Sequence, residues 1–295
     1  MKQLLQPGRY IVAVSGGVDS MVLLHALANQ PGVRVTVAHY DHGIRDDAAE
    51  DRRHVQQTAQ QLGLPFVYDE GKLGPDASED TARRARYAFL QGLRERLGAD
   101  AVVTAHHQDD VLETVLLNIM RGTGRRGLSS LRSHETLRRP LLHVPKERLK
   151  RYAQANGLVW REDSSNNDER YKRNYVRRNL MPKLSPLQRQ QLHAHAQRAH
   201  RLNAEIDALI ANHLHVQPAV DRFDRQYFIA LPHEVAREVL AAWLRRSGVR
   251  DFDRKGLQRM VVAAKTYLPE RRIDVNSRYY IAVGHKTLAL KSLER

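Results

Sequence analysis

There is no cysteine among the 295 residues. Its absence excludes disulfides, thiolate metal sites and any mechanism with a cysteine nucleophile. Long apolar runs are missing too. None approaches the ~18–20 residues that a bilayer-spanning helix needs, so no membrane partner is expected. The opening MKQLLQPGRY has neither the apolar stretch nor the cleavage site of a secretory signal, and a cytoplasmic location is the expectation. What is present suits a globular chain of two domains: 42% hydrophobic residues and 27% charged ones.

Acidic residues are scarce in one region. Residues 1–120 hold 12 Lys+Arg against 16 Asp+Glu, residues 121–201 hold 20 against 6, and residues 202–295 hold 16 against 11. The segment charges of −4, +14 and +5 make up the net +15, so nearly all the excess sits in about eighty residues. A solvated surface mixes its signs; a one-sign block of this size points to a polyanion such as nucleic acid.

The first 120 residues alternate short apolar runs with helical patterns. Strands are expected at Arg9–Val14, Val33–Tyr40, around LPFVYDE and at Asp100–His107. Helices are expected at Asp19–Ala28, Asp46–Leu62, Ser78–Leu97 and over DDVLETVLLNIM. Such alternation builds βαβ units and a mostly parallel, Rossmann-like sheet, whose ligands bind beyond the carboxyl ends of its strands. SGGVDS, HYDHGIR and TAHHQDD all fall at such ends. Past residue 185 the pattern becomes one long helix over 186–215, then a small α+β domain over 216–295. That domain has helices near Glu234–Arg246 and Lys255–Ala264 and strands near Arg272–Val275 and Tyr279–Val283.

SGGVDS follows a strand and opens a helix, where unpaired N–H groups and the positive helix end attract an oxyanion. Gly16 and Gly17 let the backbone approach a ligand, and Ser15 and Ser20 offer hydroxyls. Asp19 would repel phosphate unless a cation stood between them, which implies Mg²⁺. The loop lacks the lysine of the commonest phosphate cradle, G-K-[ST].

This loop is similar to that of the PP-loop ATP pyrophosphatases, which adenylate a substrate oxygen. HYDHGIR, SEDTARRARYAFL, TAHHQDDVLETVLLNIMRGTGRRGLSSL, RRPLL and WREDSSNNDERYKRNYVRRNLMPKL resemble one family within that group, the tRNA(Ile)-lysidine synthetases. The resemblance covers most of residues 9–184 and is weak beyond them. It implies a PP-loop domain over 1–185, a linker helix over 186–215 and a tRNA-binding domain over 216–295. It also implies adenylation of the wobble cytidine of tRNA(Ile) by ATP, followed by attack of free lysine. Ala13, Ser15, Gly16, Gly17, Val18, Asp19, Ser20 and His39 would meet ATP, and Asp19 and Asp110 would hold Mg²⁺. His107, Arg83 and Arg86 would join the catalytic group.

Several residues keep two readings. His107 either polarises substrate or is held structurally, and Asp109 is the weaker member of its pair. His39 and His42 stand three apart without further ligands nearby, which makes a poor zinc site. Arg83 and Arg86 share a helix face that is either solvated or turned to an anion. Arg121, Arg125, Arg126, Arg173, Arg177 and Arg178 together make the basic block a surface for tRNA phosphates. Two other functions compete with lysidine formation: an ammonia-dependent NAD synthetase-like amidation, which needs no cysteine but gives no reason for a +14 segment, and tRNA binding without catalysis.

Overall fold

The computed structural model describes residues 3–43, 48–71, 74, 78–129, 131–161, 172–215 and 221–293. The chain divides into two compact units, Met1–His200 and Arg201–Arg295.

The first unit is built on a five-stranded parallel sheet. Its strands are β1 (Gly8–Ala13), β2 (Val33–Asp41), β3 (Phe66–Glu70), β4 (Ala101–Val103) and β5 (Leu137–Arg138), in the order β3-β2-β1-β4-β5. Side chains alternate between the faces with period two. Val12, Val14, Val35, Val37, Ala101 and Val103 therefore point to one side. There they meet α1 (Val18–Ala28), α2 (Ala48–Gln61) and α5 (Lys146–Ala155). Ile11, Ala38, Val102 and Leu137 point to the other, against Leu90 and Leu93 of α3 (Glu79–Arg96). With both faces of the sheet covered, α1 is largely apolar, and Met21, Val22, Leu23, Leu24 and Leu27 are all buried.

The chain winds outward from β1 through β2 to β3, then crosses back to β4 on the other side of β1. The carboxyl ends of β1 and β4 thus flank the switch point, the place where ligands of such sheets bind. β4 ends at Val103, four residues short of the expected strand. Thr104 still donates to the Arg138 carbonyl at 3.0 Å, and residues 105–107 leave the sheet to start α4 (Gln108–Met120). The start expected for α2, Asp46, lies outside the described residues, as does Arg45 of HYDHGIR.

After α5 come a short helix α6 (Lys172–Tyr175), a π turn at Val176–Leu180 and a 3₁₀ turn at Met181–Lys183. The long helix is present as α7 (Pro186–His215). The boundary between the units falls inside it, after His200. His193 donates to the Leu142 carbonyl at 3.2 Å in the first unit, while Ile206 and Ile210 join the core of the second.

After the end of α7, the described residues of the second unit form a four-stranded antiparallel sheet, ordered β6-β9-β8-β7, and three helices. Its strands are β6 (Arg222–Asp224), β7 (Arg272–Asp274), β8 (Tyr279–Val283) and β9 (Thr287–Ser292). The helices are α8 (Arg225–Ala230), α9 (His233–Arg246) and α10 (Arg254–Thr266). Phe223, Phe228, Trp243, Leu244 and Ile281 form its core. Arg225, only 7% exposed, donates to the carbonyls of Ala264, Gly284 and Tyr267, and so ties α8 to α10 and to the β8–β9 turn. The sequence pattern alone did not reveal β6, β9 or α8. β6 and α8 are too short to show a period, and β9 declares itself only by pairing on both sides.

Candidate active site

The site begins where β1 runs out. Val14 still pairs with Ala38 at 2.9 Å, and Gly16 then takes φ +95°, a conformation that L residues with a side chain seldom adopt. Gly17 stands at the N-cap of α1, and no side chain caps the helix there. The first-turn N–H groups are therefore open to an oxyanion. Ser20 steadies the elbow. Its hydroxyl donates to the Gly17 carbonyl at 2.9 Å and accepts from the Ser15 N–H at 3.2 Å. Val18 and Ser20 are buried, Ala13 is partly buried, and Ser15 is exposed at the rim.

Arg161 lies against this elbow. The Arg161 N–H donates to the Gly16 carbonyl at 3.0 Å, and its guanidinium reaches Asp51 and Glu50, each at 2.7 Å. Sequence reasoning missed Arg161 because its partners lie more than a hundred residues upstream. His39 sits beside β1, 4% exposed, with Nδ1 2.9 Å from the Val14 carbonyl. That bond puts its proton on Nδ1. Burial outweighs the hydrogen bond and lowers its pKa, so the ring is a neutral strut under the elbow.

From β4 comes the facing wall. His107 is the N-cap of α4, and its Nδ1 accepts from the Asp109 N–H at 3.2 Å. Asp110 returns the cap by accepting from the His107 N–H at 2.8 Å. This reciprocal cap fixes the tautomer, because an accepting Nδ1 leaves the ring proton on Nε2. Nε2 stands 3.3 Å from Asp19 Oδ2 and 3.5 Å from Asp110 Oδ2. Burial opposes the charged ring, but the hydrogen bond to Asp19 and the charges of Asp110, Asp19 and Asp109 win, and the His107 pKa is raised. The same contacts act on Asp110. Burial pushes its pKa up, while His107, His106, Arg173 and the bond from the His107 N–H hold it below the usual carboxylate range.

The other members of TAHHQDD divide between site and scaffold. His106 bonds Thr104 at 2.8 Å, and burial, only partly opposed by Asp110, lowers its pKa to about 3. Asp109 serves structure. It accepts from the first N–H of α5 at 3.4 Å and stands 3.6 Å from Arg189 of α7. Lys146 of α5 brings its ammonium to 3.9 Å from Asp19.

The six arginines assigned to the basic surface do not gather in one place. Arg121 ends α4, about 20 Å along the helix from His107 at 1.5 Å per residue, and Arg125 and Arg126 follow in a 3₁₀ turn. Arg173 and Arg177 instead turn in on the first two turns of α4. Arg173 bonds Glu113 and Asp110, both at 3.1 Å, and Arg177 bonds Glu113 at 2.8 and 3.1 Å. Glu113 is only 2% exposed. The next residue, Arg178, is exposed. Arg83 and Arg86 lie over the Tyr87 ring, 5.0 and 5.5 Å from its centre. Both are half-buried.

A glycine elbow with open helix N–H groups, at the switch point of a parallel sheet, defines an α/β nucleotide-binding domain. The profile of the PP-loop domain matches residues 1–184, and the chain belongs to that family. The chain is also similar to the tRNA(Ile)-lysidine synthase of Burkholderia mallei (strain ATCC 23344), with 36% identity over 266 residues. That match covers 85% of this chain and 54% of the relative. With the tRNA(Ile)-lysidine synthase of Legionella pneumophila (strain Lens) the identity is 34% over 283 residues, covering 88% and 62%. The chain therefore spans little more than half the length of the curated relatives it matches. Among solved structures, the U34-tRNA thiolase NcsA of Methanococcus maripaludis, with its [4Fe-4S] cluster, shares the fold. Its TM-score is 0.56 at 17% identity, over 67% of this chain and 74% of that one.

Proposed function

We propose that this chain uses ATP to adenylate the C2 oxygen of the wobble cytidine in an isoleucine tRNA, and then joins free lysine at C2. The observation that carries the reading is the pairing of Asp19, on the glycine elbow, with the His107–Asp110 cap across the switch point. The similarity to tRNA(Ile)-lysidine synthases over 85–88% of the chain supports the substrate and the amine.

Each residue's part follows from its placement. The first-turn N–H groups of α1 and the Ser15 hydroxyl hold phosphate oxygens as negative charge passes to the leaving pyrophosphate. His107, its Nε2 proton aimed at Asp19 Oδ2, keeps that carboxylate directed. In the first step the cytidine oxygen bonds to the α-phosphorus and pyrophosphate departs. In the second the ε-amine of lysine bonds to C2, AMP departs with the former C2 oxygen, and the nitrogen loses its proton.

Asp19 fits a magnesium ligand, because its Oδ1 is buried and has no hydrogen-bond partner. Among the described residues, no cluster of three or more acidic or histidine side chains could hold a metal alone. That suits Mg²⁺, which takes one or two carboxylates and completes its shell from nucleotide phosphates and water. When bound, the ion would neutralise charge on the pyrophosphate. Asp110 faces the same side of His107, but it already bonds the His107 N–H and Arg173.

The deciding measurement is pyrophosphate release from ATP with and without the tRNA. Release that requires tRNA, and that Asp19→Asn abolishes while tRNA binding persists, supports the reading. Tight tRNA binding without release would make the chain a binder alone. Release driven by a deamido dinucleotide would make it an amidating enzyme.

A further inference from the structure

The SGGVDS loop carries no lysine, yet an ammonium group stands beside it. Lys146 brings Nζ to 3.9 Å from Asp19 Oδ2, beyond hydrogen-bond distance, and its side chain is 34% exposed, so a ligand from solvent can meet it. The same carboxylate oxygen already faces His107 Nε2 at 3.3 Å. Lys146 takes no part in either step of the reaction proposed above.

The fold delivers it there by two routes. After β5 the chain buries Leu141 and Leu142, and the Val144 carbonyl accepts from the Gln108 N–H at 3.0 Å. The Lys146 N–H donates to Asp109 at 3.4 Å. The first turn of α5 is therefore tied to the first turn of α4. Lys146 also shares a helix face with Leu149 and Ala153, three and seven residues on, and both of these are fully buried in the core that contains α1. The two helices run side by side in the same direction: His25 lies 3.0 Å from Tyr152 toward their far ends, as Asp19 lies near Lys146 at their heads. The ammonium thus arrives at the head of α1, beside the open N–H groups.

Stability does not account for this placement. A part-exposed ion pair contributes little, and a cation in the first turn of α5 opposes that helix's own macrodipole. An oxyanion at the head of α1 supplies the counter-charge that the position lacks. We infer that Lys146 is a further catalytic residue, whose ammonium binds the pyrophosphate portion of ATP and stabilises it as it leaves. The inference rests on the adenylation reading and deepens it. In the commonest phosphate cradle the lysine belongs to the loop itself and reaches the β- and γ-phosphates. In this chain Asp19 occupies the first turn of α1, and the cation comes instead from α5. Negative charge grows on pyrophosphate as it departs, and a cation already in place is most effective against charge that develops in the transition state.

The test is equilibrium binding of inorganic pyrophosphate, ATP and AMP to the whole chain, with magnesium and again in EDTA. Lys146→Met should weaken pyrophosphate and ATP by about tenfold or more, the scale of a hydrogen bond between charged groups, and AMP by less than about twofold. Lys146→Arg keeps the charge and should restore most of the affinity. The loss for pyrophosphate should persist in EDTA, because the ammonium acts on phosphate directly. A loss confined to magnesium buffer would mean that Lys146 serves only Asp19, and it overturns the inference. So does an equal loss for AMP, or a pyrophosphate affinity that Lys146→Met leaves unchanged. tRNA-dependent pyrophosphate release decides the adenylation reading separately. Weaker pyrophosphate binding in Lys146→Met, with no release by the unsubstituted chain, leaves the phosphate contact standing and removes that reading; release together with unchanged pyrophosphate binding does the reverse.

Discussion

Glu113 offers a sharp test of how the site is held together. Its carboxylate is 2% exposed and accepts from both Arg173 and Arg177, over three contacts of 2.8–3.1 Å. Glu113→Gln keeps the shape, removes the charge and turns an N–H₂ group toward two guanidiniums. Breaking a buried ion pair by removing one partner costs about 3–5 kcal/mol. The two arginine side chains keep 22% and 35% exposure, so water recovers part of that, and about 2–3 kcal/mol is the expected loss. For a unit of this size, Met1–His200, each kcal/mol lowers Tm by ~2–4 °C, which gives a drop of about 4–12 °C. The two tryptophans make the assay specific: Trp160 packs against the first unit's core, and Trp243 is buried in the second. Melting followed by Trp160 fluorescence in a Trp243→Phe background reads the first unit alone. The difference should persist in 1 M salt, since buried pairs are little screened. A drop under 2 °C, or one that salt removes, would refute the claim that Glu113 binds the arginine segment to α4.

Neighbouring histidines should respond to pH in opposite senses. The folded pKa of His107 is raised, so its contribution is fully present below about 6.5 and is lost as pH rises through the folded value. His106 is lowered to about 3, so the folded state resists a proton that the unfolded state accepts, and stability falls as pH drops from about 6.5 toward that value. NMR titration of the two imidazoles in magnesium-free buffer should separate them, with Asp19→Asn moving His107 down. Titration of both near 6.5 would contradict the assignments. Gly16→Ala meets only ordinary contacts, the nearest Val55 at 3.6 Å, so its cost is the φ of +95°, about 1–2 kcal/mol. ATP affinity should fall with it; an unchanged affinity would show that the elbow is not the nucleotide cradle. For tRNA, each phosphate contact contributes roughly 0.7–0.9 to the slope of log K against log salt. Arg121→Gln or Arg178→Gln should flatten the slope by about one unit, while Arg173→Gln, whose guanidinium is engaged by Glu113 and Asp110, should not. A slope moved by Arg173 and not by the others would reverse that division.

Much of the first unit is written in short-range signals. The period-two valines of β1 and β2, the glycine at a positive φ, and HHQDD closing its own cap each need only a few neighbouring residues. That is why the sheet and the elbow could be read from the chain, whereas the approach of His107 to Asp19 follows from the pairing of β1 with β4. The change of texture along the chain does not mark a boundary residue; the two units part after His200, within α7, because the two ends of that helix pack in different cores.

The fate of the arginines was decided elsewhere. Arg173 and Arg177 looked like their neighbour Arg178 in RNYVRR, yet they meet acids some sixty residues back on α4. Arg139 finds Tyr87 fifty-two residues away, and Arg161 finds Asp51 at a separation of 110. Composition counts a guanidinium the same way whether it faces solvent, an acid or a phenol. The sequence by itself determined the strands, the turn that needs glycine and the total of positive charge. Only the packing of distant segments decided which of those charges are neutralised within the protein, because such pairings depend on loop closure and burial rather than on neighbouring residues.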